Sequence, residues 1–315
     1  MARLRGRNGL VGVACAIALV VAVVLAAARV GEIGGQLSGW QALVLGLTQG
    51  LTEFLPISSS GHLIFVPWVA DWRYLAEHDQ FNKTFDVALH LGTLIAVVVY
   101  FAGDIGRLIA AFVRTLGKRR ADTPDEKIAW YVAIATVPAV IVGAAAESAI
   151  DRHLGNPWQI AIFLGVFAVV LYLADRLPVH KEIEGLGRRG ALLLGLAQCL
   201  ALMPGVSRSG ITISAGRALG LSRDQAARFS FLLLVPVTFG AVIYKAAKHL
   251  DSLPAGSTGP FVIGMIAAAA SGLLAIHALL GFVRRHDYSP FVVYRLAIVI
   301  AIVVLIAAGV RDASF

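Results

Sequence analysis

The chain has 315 residues, 58% of them apolar and only 15% charged, with a mean hydropathy of +0.79. Soluble domains carry about 25% charged residues, so the composition excludes a soluble globular protein and requires an integral membrane protein. The net charge of +8 does not point to nucleic acid, because the basic residues cluster in links between apolar runs, where the positive-inside rule accounts for them. The two cysteines, Cys15 and Cys199, lie inside apolar runs, so neither a disulfide nor a thiolate metal site is expected.

In chain order, Arg3, Arg5 and Arg7 precede an apolar run from about Leu10 to Ala28. A cleaved signal peptide would fit, but the length is close to the roughly 20 residues that cross a bilayer, which favours a signal anchor within an N-terminal extension, 1–38. Apolar runs near 10–30, 85–102, 128–147, 157–177, 225–247, 260–282 and 291–309 give about seven spans. The links 103–127, 178–189 and 283–290 are basic and belong in the cytoplasm. The spans then alternate only if 39–70 and 190–220 each enter and leave on one side, the first from outside and the second from the cytoplasm.

Those two segments are copies of one another. Gly46–Gly61 reads GLTQGLTEFLPISSSG and Gly195–Gly210 reads GLAQCLALMPGVSRSG, a spacing of 149 residues, with Pro56 and Pro204 displaced by one position. The expected fold is an all-α polytopic membrane protein, a single domain over 39–315. It is an inverted-topology repeat, about 39–147 and 157–309, with two re-entrant helix-loop-helix hairpins. Irregular backbone at membrane depth is tolerated only where protein or a wet cavity surrounds it, and broken helices meeting there form anion sites.

Within the first copy, Gln49 and Glu53 share a helix face. A carboxylate at bilayer depth costs about 2.5–3.5 kcal/mol, so Glu53 suits a metal ligand or a general acid/base. Ser58, Ser59 and Ser60 include a helix cap, and a serine with His62 nearby can supply a nucleophile and its base. In the second copy Arg208 replaces Ser59. With Ser207, Ser209, Gly210 and Thr212 it makes a phosphate-binding set. Asp86 and His90 share a face and border the pocket or form a structural hydrogen bond. His277 reads as an interhelical residue, and Glu147, Arg217, Lys245 and Arg295 as side chains snorkelling near span ends. The 32 glycines serve close helix packing.

QGLTEFLPISSSGH resembles the (E/Q)xxxE block and serine-rich turn of the undecaprenyl-diphosphate phosphatase family, the bacitracin-resistance proteins. PGVSRSGIT, Pro204 to Thr212, is similar to that family's PGxSRSxxT block at every fixed position. The likeness runs from about Trp40 to the C-terminus and includes FDVALHLGT and FSFLLLVP. It implies a multi-pass enzyme of the bacterial inner membrane that removes the terminal phosphate of undecaprenyl diphosphate, recycling the carrier lipid for wall synthesis. It also implies inverted re-entrant hairpins, a site facing the periplasmic side and support by a divalent cation, Mg²⁺ or Ca²⁺. Carried over by position, the functional set is Gln49, Glu53, Ser59, His62, Ser207, Arg208, Ser209 and Thr212, with Gln49 and Glu53 as metal ligands. Gln49 stands where many members have Glu, which weakens a two-carboxylate metal site, and the first 35 or so residues exceed the family's usual length.

The mechanism so implied holds the diphosphate on Arg208 and the N–H groups of both serine turns, with a divalent ion held by Glu53, diphosphate oxygens and waters. Ser59 or His62 is the nucleophile, and if Ser59 attacks, His62 is its base. The rival reading is a transporter or flippase of a polyprenyl phosphate lipid, since inverted repeats with broken helices are a transporter architecture. Partners are the lipid diphosphate and the bilayer, with no nucleic acid, and a homo-oligomer is compatible with the sequence.

Overall fold

The structure is a computed structural model that describes residues 37–314 except 73, 76–77, 119 and 250–257. The expected span at 10–30 and the side chains of Glu147 and Lys245 lie outside the described residues. Eleven α-helices are found among those described: α1 Gly39–Phe54, α2 Ser59–Ala70, α3 Asp79–Tyr100, α4 Ala102–Lys118, α5 Pro124–His153, α6 Pro157–Asp175, α7 Gly187–Cys199, α8 Arg208–Ala218, α9 Arg223–His249, α10 Thr258–Phe282 and α11 Ser289–Ala307. Six of them, α3, α5, α6, α9, α10 and α11, contain stretches long and apolar enough to cross a membrane. Helices satisfy their own backbone polar groups, the condition for standing in lipid. These six coincide with the six expected spans after the first, with ends displaced by a few residues.

Helix starts follow local chemistry. Ser38 and Gln41 form a reciprocal capping box on α1, and Thr123 and Glu126 do the same on α5, where Pro124 occupies the first turn. The basic link 103–127 is not merely a loop, for most of it folds as α4. Ile109, Val113 and Leu116 recur there at helical spacing and line an exposed apolar face.

α1 and α2 form one helix-break-helix pair and α7 and α8 the other. With 16 and 12 residues in the first pair and 13 and 11 in the second, each half is shorter than the roughly 20 residues a span needs. The pairs dock reciprocally. α1 lies along α10, a helix of the second repeat: a Cβ on Gly46 would strike the Gly264 carbonyl, and Phe54, at the end of α1, meets Gly272, midway along α10. α7 lies along α5, a helix of the first repeat, where a Cβ on Gly195 would strike the Ala135 carbonyl. Glycine is required at both places because the two backbones are in contact.

The bases of the pairs sit at opposite ends of α11. Beyond its C-terminal end, the Asp312 carbonyl accepts from Trp68 Nε1 at 3.1 Å, and Arg311 bonds the Val69 carbonyl and pairs with Asp71. Just before its N-terminal end, the Tyr288 N–H donates to Asp175, whose carbonyl accepts from Arg217 at 2.9 Å. Arg217 is 3% exposed and also faces the Asp175 carboxylate. The expectation that it snorkels to headgroups is corrected: burial against a carboxylate and main-chain carbonyls leaves it no route to water. His277 is exposed, its Nδ1 3.5 Å from the Tyr100 hydroxyl.

Candidate active site

The breaks after α1 and before α8 face each other. At each, a serine takes a left-handed φ of 75°, Ser58 in the first and Ser207 in the second, and caps the next half-helix by accepting from Gly61 N or Gly210 N. Such backbone costs about 1–3 kcal/mol in a non-glycine residue. That both copies hold it at positions 149 apart shows the two turns to be one device used twice. The first N–H groups of each half-helix have no intrahelical acceptor, so two positive helix ends converge.

They border a cavity of about 200 Å³ lined by Glu53, Ser59, Ser60, Gln198, Ser207 and Arg208, with Asp86 and His90 of α3 on another side. Apart from Thr238, its remaining wall is apolar and includes Val87, Ala139, Leu202, Val237, Ala241 and Val242. Arg208 holds Glu53 Oε1 through Nη2 at 2.9 Å and Nε at 3.3 Å, and donates through Nη1 to the Ser230 carbonyl at 3.1 Å. The Ser59 hydroxyl donates to Glu53 Oε2 at 2.5 Å, within the range of charge-assisted O–H···O⁻ bonds. The two hairpins thus share one ion pair, and the serine beside it is polarised by a carboxylate.

Of the residues expected at the site, Glu53, Ser59, Ser60, Ser207 and Arg208 lie on the cavity wall, whereas Gln49, Ser58, His62, Ser209, Gly210 and Thr212 do not. The latter group builds the site from behind. Gln49 donates to Glu53 Oε2 at 3.3 Å. Ser209 bridges the hairpins by donating to the Leu55 carbonyl at 2.9 Å. Thr212 Oγ1 meets the Ser230 hydroxyl at 2.7 Å, and the Ser230 carbonyl in turn holds Arg208. Gly210 faces the Arg295 guanidinium, where a Cβ would be crowded by it and by Ser207. In this structure Ser58, Ser209, Gly210 and Thr212 stand behind the groups that line the cavity.

His62 is held apart from Ser59. Its Nδ1 lies 2.7 Å from the Ser58 carbonyl, which can only accept, so Nδ1 carries a proton; Nε2 lies 2.8 Å from the Tyr294 hydroxyl. Both ring nitrogens are engaged away from Ser59, whose partner is Glu53. His90 behaves differently: Nδ1 meets the Asp86 carbonyl at 2.8 Å, and the ring stands on the cavity wall. The expected alternatives for this pair, pocket border and structural hydrogen bond, hold together.

Gln49 and Glu53 do not fit a resident metal site. Both Glu53 oxygens are held, Oε1 by Arg208 and Oε2 by Ser59 and Gln49, and a guanidinium at 2.9 Å repels a cation. No cluster of three or more His, Cys, Asp or Glu suited to a metal occurs among the described residues.

Arg295 was expected to snorkel from a span end. It is instead wholly buried, donating through Nη1 to the Pro56 carbonyl at 3.3 Å, through Nη2 to the Gly205 and Val206 carbonyls at 2.9 and 3.0 Å, and through Nε to the Leu164 carbonyl at 3.2 Å. It ties the two turns together. The available sequence signal was its position inside the α11 apolar run, where an unpaired cation is costly unless it serves a site.

A family model described as bacitracin resistance protein BacA matches residues 42–301. A protein of Geobacter sulfurreducens named undecaprenyl-diphosphatase is 47% identical over 81% of this chain and 93% of its own length. Proteins of the same name from Pelotomaculum thermopropionicum and Pelobacter propionicus are each 43% identical over 85% of this chain and 97% of theirs. Identity at this level over nearly the whole length of the relatives places the cavity inside a shared architecture, and the chain belongs to the bacitracin resistance protein BacA family.

Proposed function

We propose that the protein is a membrane phosphatase that hydrolyses undecaprenyl diphosphate to the monophosphate and inorganic phosphate, recycling the wall-precursor lipid and so conferring bacitracin resistance. One observation carries the mechanism: the Ser59 hydroxyl is bonded to Glu53, and Glu53 to Arg208, at the wall of a cavity between two helix N-termini. Ser59 Oγ attacks the terminal phosphorus while Glu53 takes its proton. The bond from that phosphorus to the bridging oxygen breaks, and the lipid monophosphate leaves. Water then attacks the phosphoserine with His90 accepting a proton; Ser59 Oγ leaves and recovers its own proton from Glu53, and inorganic phosphate departs.

Arg208 N–H groups not engaged by Glu53 and Ser230, together with the two helix ends, stabilise charge on the phosphoryl oxygens. A divalent cation, Mg²⁺ or Ca²⁺, would come with the diphosphate as its counter-ion, screening phosphate charge, as suits Mg²⁺, which prefers phosphate oxygens and water to all-protein cages.

Both hairpins are read as re-entrant and of opposite topology, their bases at opposite ends of α11 and their turns near mid-depth. The basic links put the base of the first hairpin on the outer side of the inner membrane. The cavity is lined by Asp86, Val87 and His90 around the middle of α3 and by the later half of α9; that half of α9 lies on the same side in this topology, which supports a site facing the periplasm. The apolar wall of Ala139, Val237, Ala241 and Val242 supplies a lateral way out between α5 and α9 for the prenyl chain.

The reciprocal hairpins also suit a lipid carrier, but a carrier has no use for a serine bonded to a carboxylate. Phosphate release from undecaprenyl diphosphate by purified protein, with Ser59→Ala, Glu53→Gln and Arg208→Ala beside it, decides the matter. Loss in all three supports hydrolysis at this site. Release undiminished in Ser59→Ala would overturn the nucleophile, and no release by well-folded wild type would favour transport.

A further inference from the structure

Gln198, in the last turn of α7, is 2% exposed, yet neither amide atom has a hydrogen-bond partner among the described residues. It lines the cavity beside Ser207 and Arg208. A buried polar group left unpaired is destabilising and needs an explanation.

The repeat supplies one. Adding 149 carries Gln49 to Gln198 and Glu53 to Leu202. In the first hairpin the Gln49 amide donates to the carboxylate four residues on, and Gln49 is kept off the cavity wall. In the second the corresponding residue is apolar, so the same amide, in the same place on its half-helix, keeps its donor but has lost its anion. A donor with no acceptor on the wall of an anion site matches a ligand that brings the acceptor.

We propose that Gln198 is a substrate-binding residue whose amide N–H donates to a phosphate oxygen of the bound lipid diphosphate, alongside Arg208. This rests on the cavity being the diphosphate site. The phosphate takes the position that Glu53 occupies in the twin hairpin, and the amide oxygen accepts from a water of the phosphate's hydration shell. Gln198 does no proton transfer; its contribution is to affinity for the charged headgroup.

The test is Gln198→Met, close in length and free of polar atoms. KM for undecaprenyl diphosphate should rise about 10- to 100-fold, as expected for one hydrogen bond to a charged acceptor, with kcat changed much less. The thermal midpoint of the substrate-free protein should hold or rise, because an unpaired amide has been removed. A lowered midpoint with unchanged KM would assign Gln198 to the fold and overturn the inference, as would unchanged KM and midpoint.

Gln198→Ala provides a second variant, expected to raise KM alike. Binding measured in a Ser59→Ala background, with and without Gln198→Met, separates this inference from the hydrolytic one. Weaker lipid diphosphate binding in the double variant sustains the Gln198 contact even if wild type releases no phosphate. Equal binding removes the contact even if wild type is an active phosphatase.

Discussion

Replacing Arg295 with methionine tests whether the two turns are held in register by a single buried guanidinium. The Leu164 carbonyl lies within α6 and keeps its helical partner, but the carbonyls of Pro56, Gly205 and Val206 lie in the turns, where Arg295 is the partner found for each among the described residues. Leaving a buried acceptor unsatisfied costs about 1–3 kcal/mol, so three of them set a loss of about 3 kcal/mol or more. Methionine fills most of the volume, so a cavity adds little. The catalytic loss should be larger in proportion, because Glu53 and Ser59 flank one turn and Arg208 follows the other. A misplacement of about 1 Å costs roughly 10²-fold in rate. Lysine, with a point charge in place of a fork, should fall between. The assay is phosphate release at saturating substrate, paired with denaturant unfolding in the same detergent. Wild-type turnover together with unchanged unfolding in Arg295→Met would refute the reasoning, since it would mean that the turns hold their register without the guanidinium.

Glu53→Gln should lower turnover by at least about 10²-fold, the scale of general acid–base catalysis, and abolish a trappable phosphoserine at Ser59; persistence of the phosphoserine would remove Glu53 as the base. His62→Gln and Tyr294→Phe, which break one shared contact, should be non-additive by about 0.5–3 kcal/mol in unfolding free energy, and both should still form phosphoserine. His90→Gln should accumulate phosphoserine, slowing the second half of the reaction rather than the first, as rapid-quench sampling would reveal. Gly46→Ala and Gly195→Ala should each destabilise by about 1–3 kcal/mol, since each added methyl meets main chain rather than a flexible side chain; thermal unfolding of the two variants checks this. Equilibrium dialysis should find no tight Mg²⁺ or Ca²⁺ binding by the substrate-free protein, while chelation slows turnover; tight binding without substrate would restore Glu53 as a metal ligand.

The six long apolar helices were legible because lipid imposes one rule on every exposed segment: apolar side chains and a self-satisfied backbone. The two broken segments were legible because their spacing and polarity break that rule in the same way twice. Ser59 and Arg208 could be picked out as site residues because hydroxyl and guanidinium groups at such a break have few other uses. Contacts between distant residues were not legible. Nothing local tells that Glu53 pairs with Arg208 across 155 residues, that His62 turns toward Tyr294, or that Arg295 reaches three carbonyls in two turns. Arg217 and Arg295 were misjudged for one reason: position along a helix says how far a cation lies from the span's end, but not which face it occupies.

The sequence by itself determined the membrane class, the six helices long and apolar enough to cross, the two broken helix pairs and the polar residues at their breaks, because these depend on composition and short-range spacing. Only the tertiary structure decided which of those residues line the cavity and which stand behind it. That choice depends on how α1 packs along α10 and α7 along α5, where backbone contact at Gly46 and Gly195 sets the rotation of each half-helix and so the direction in which its side chains point.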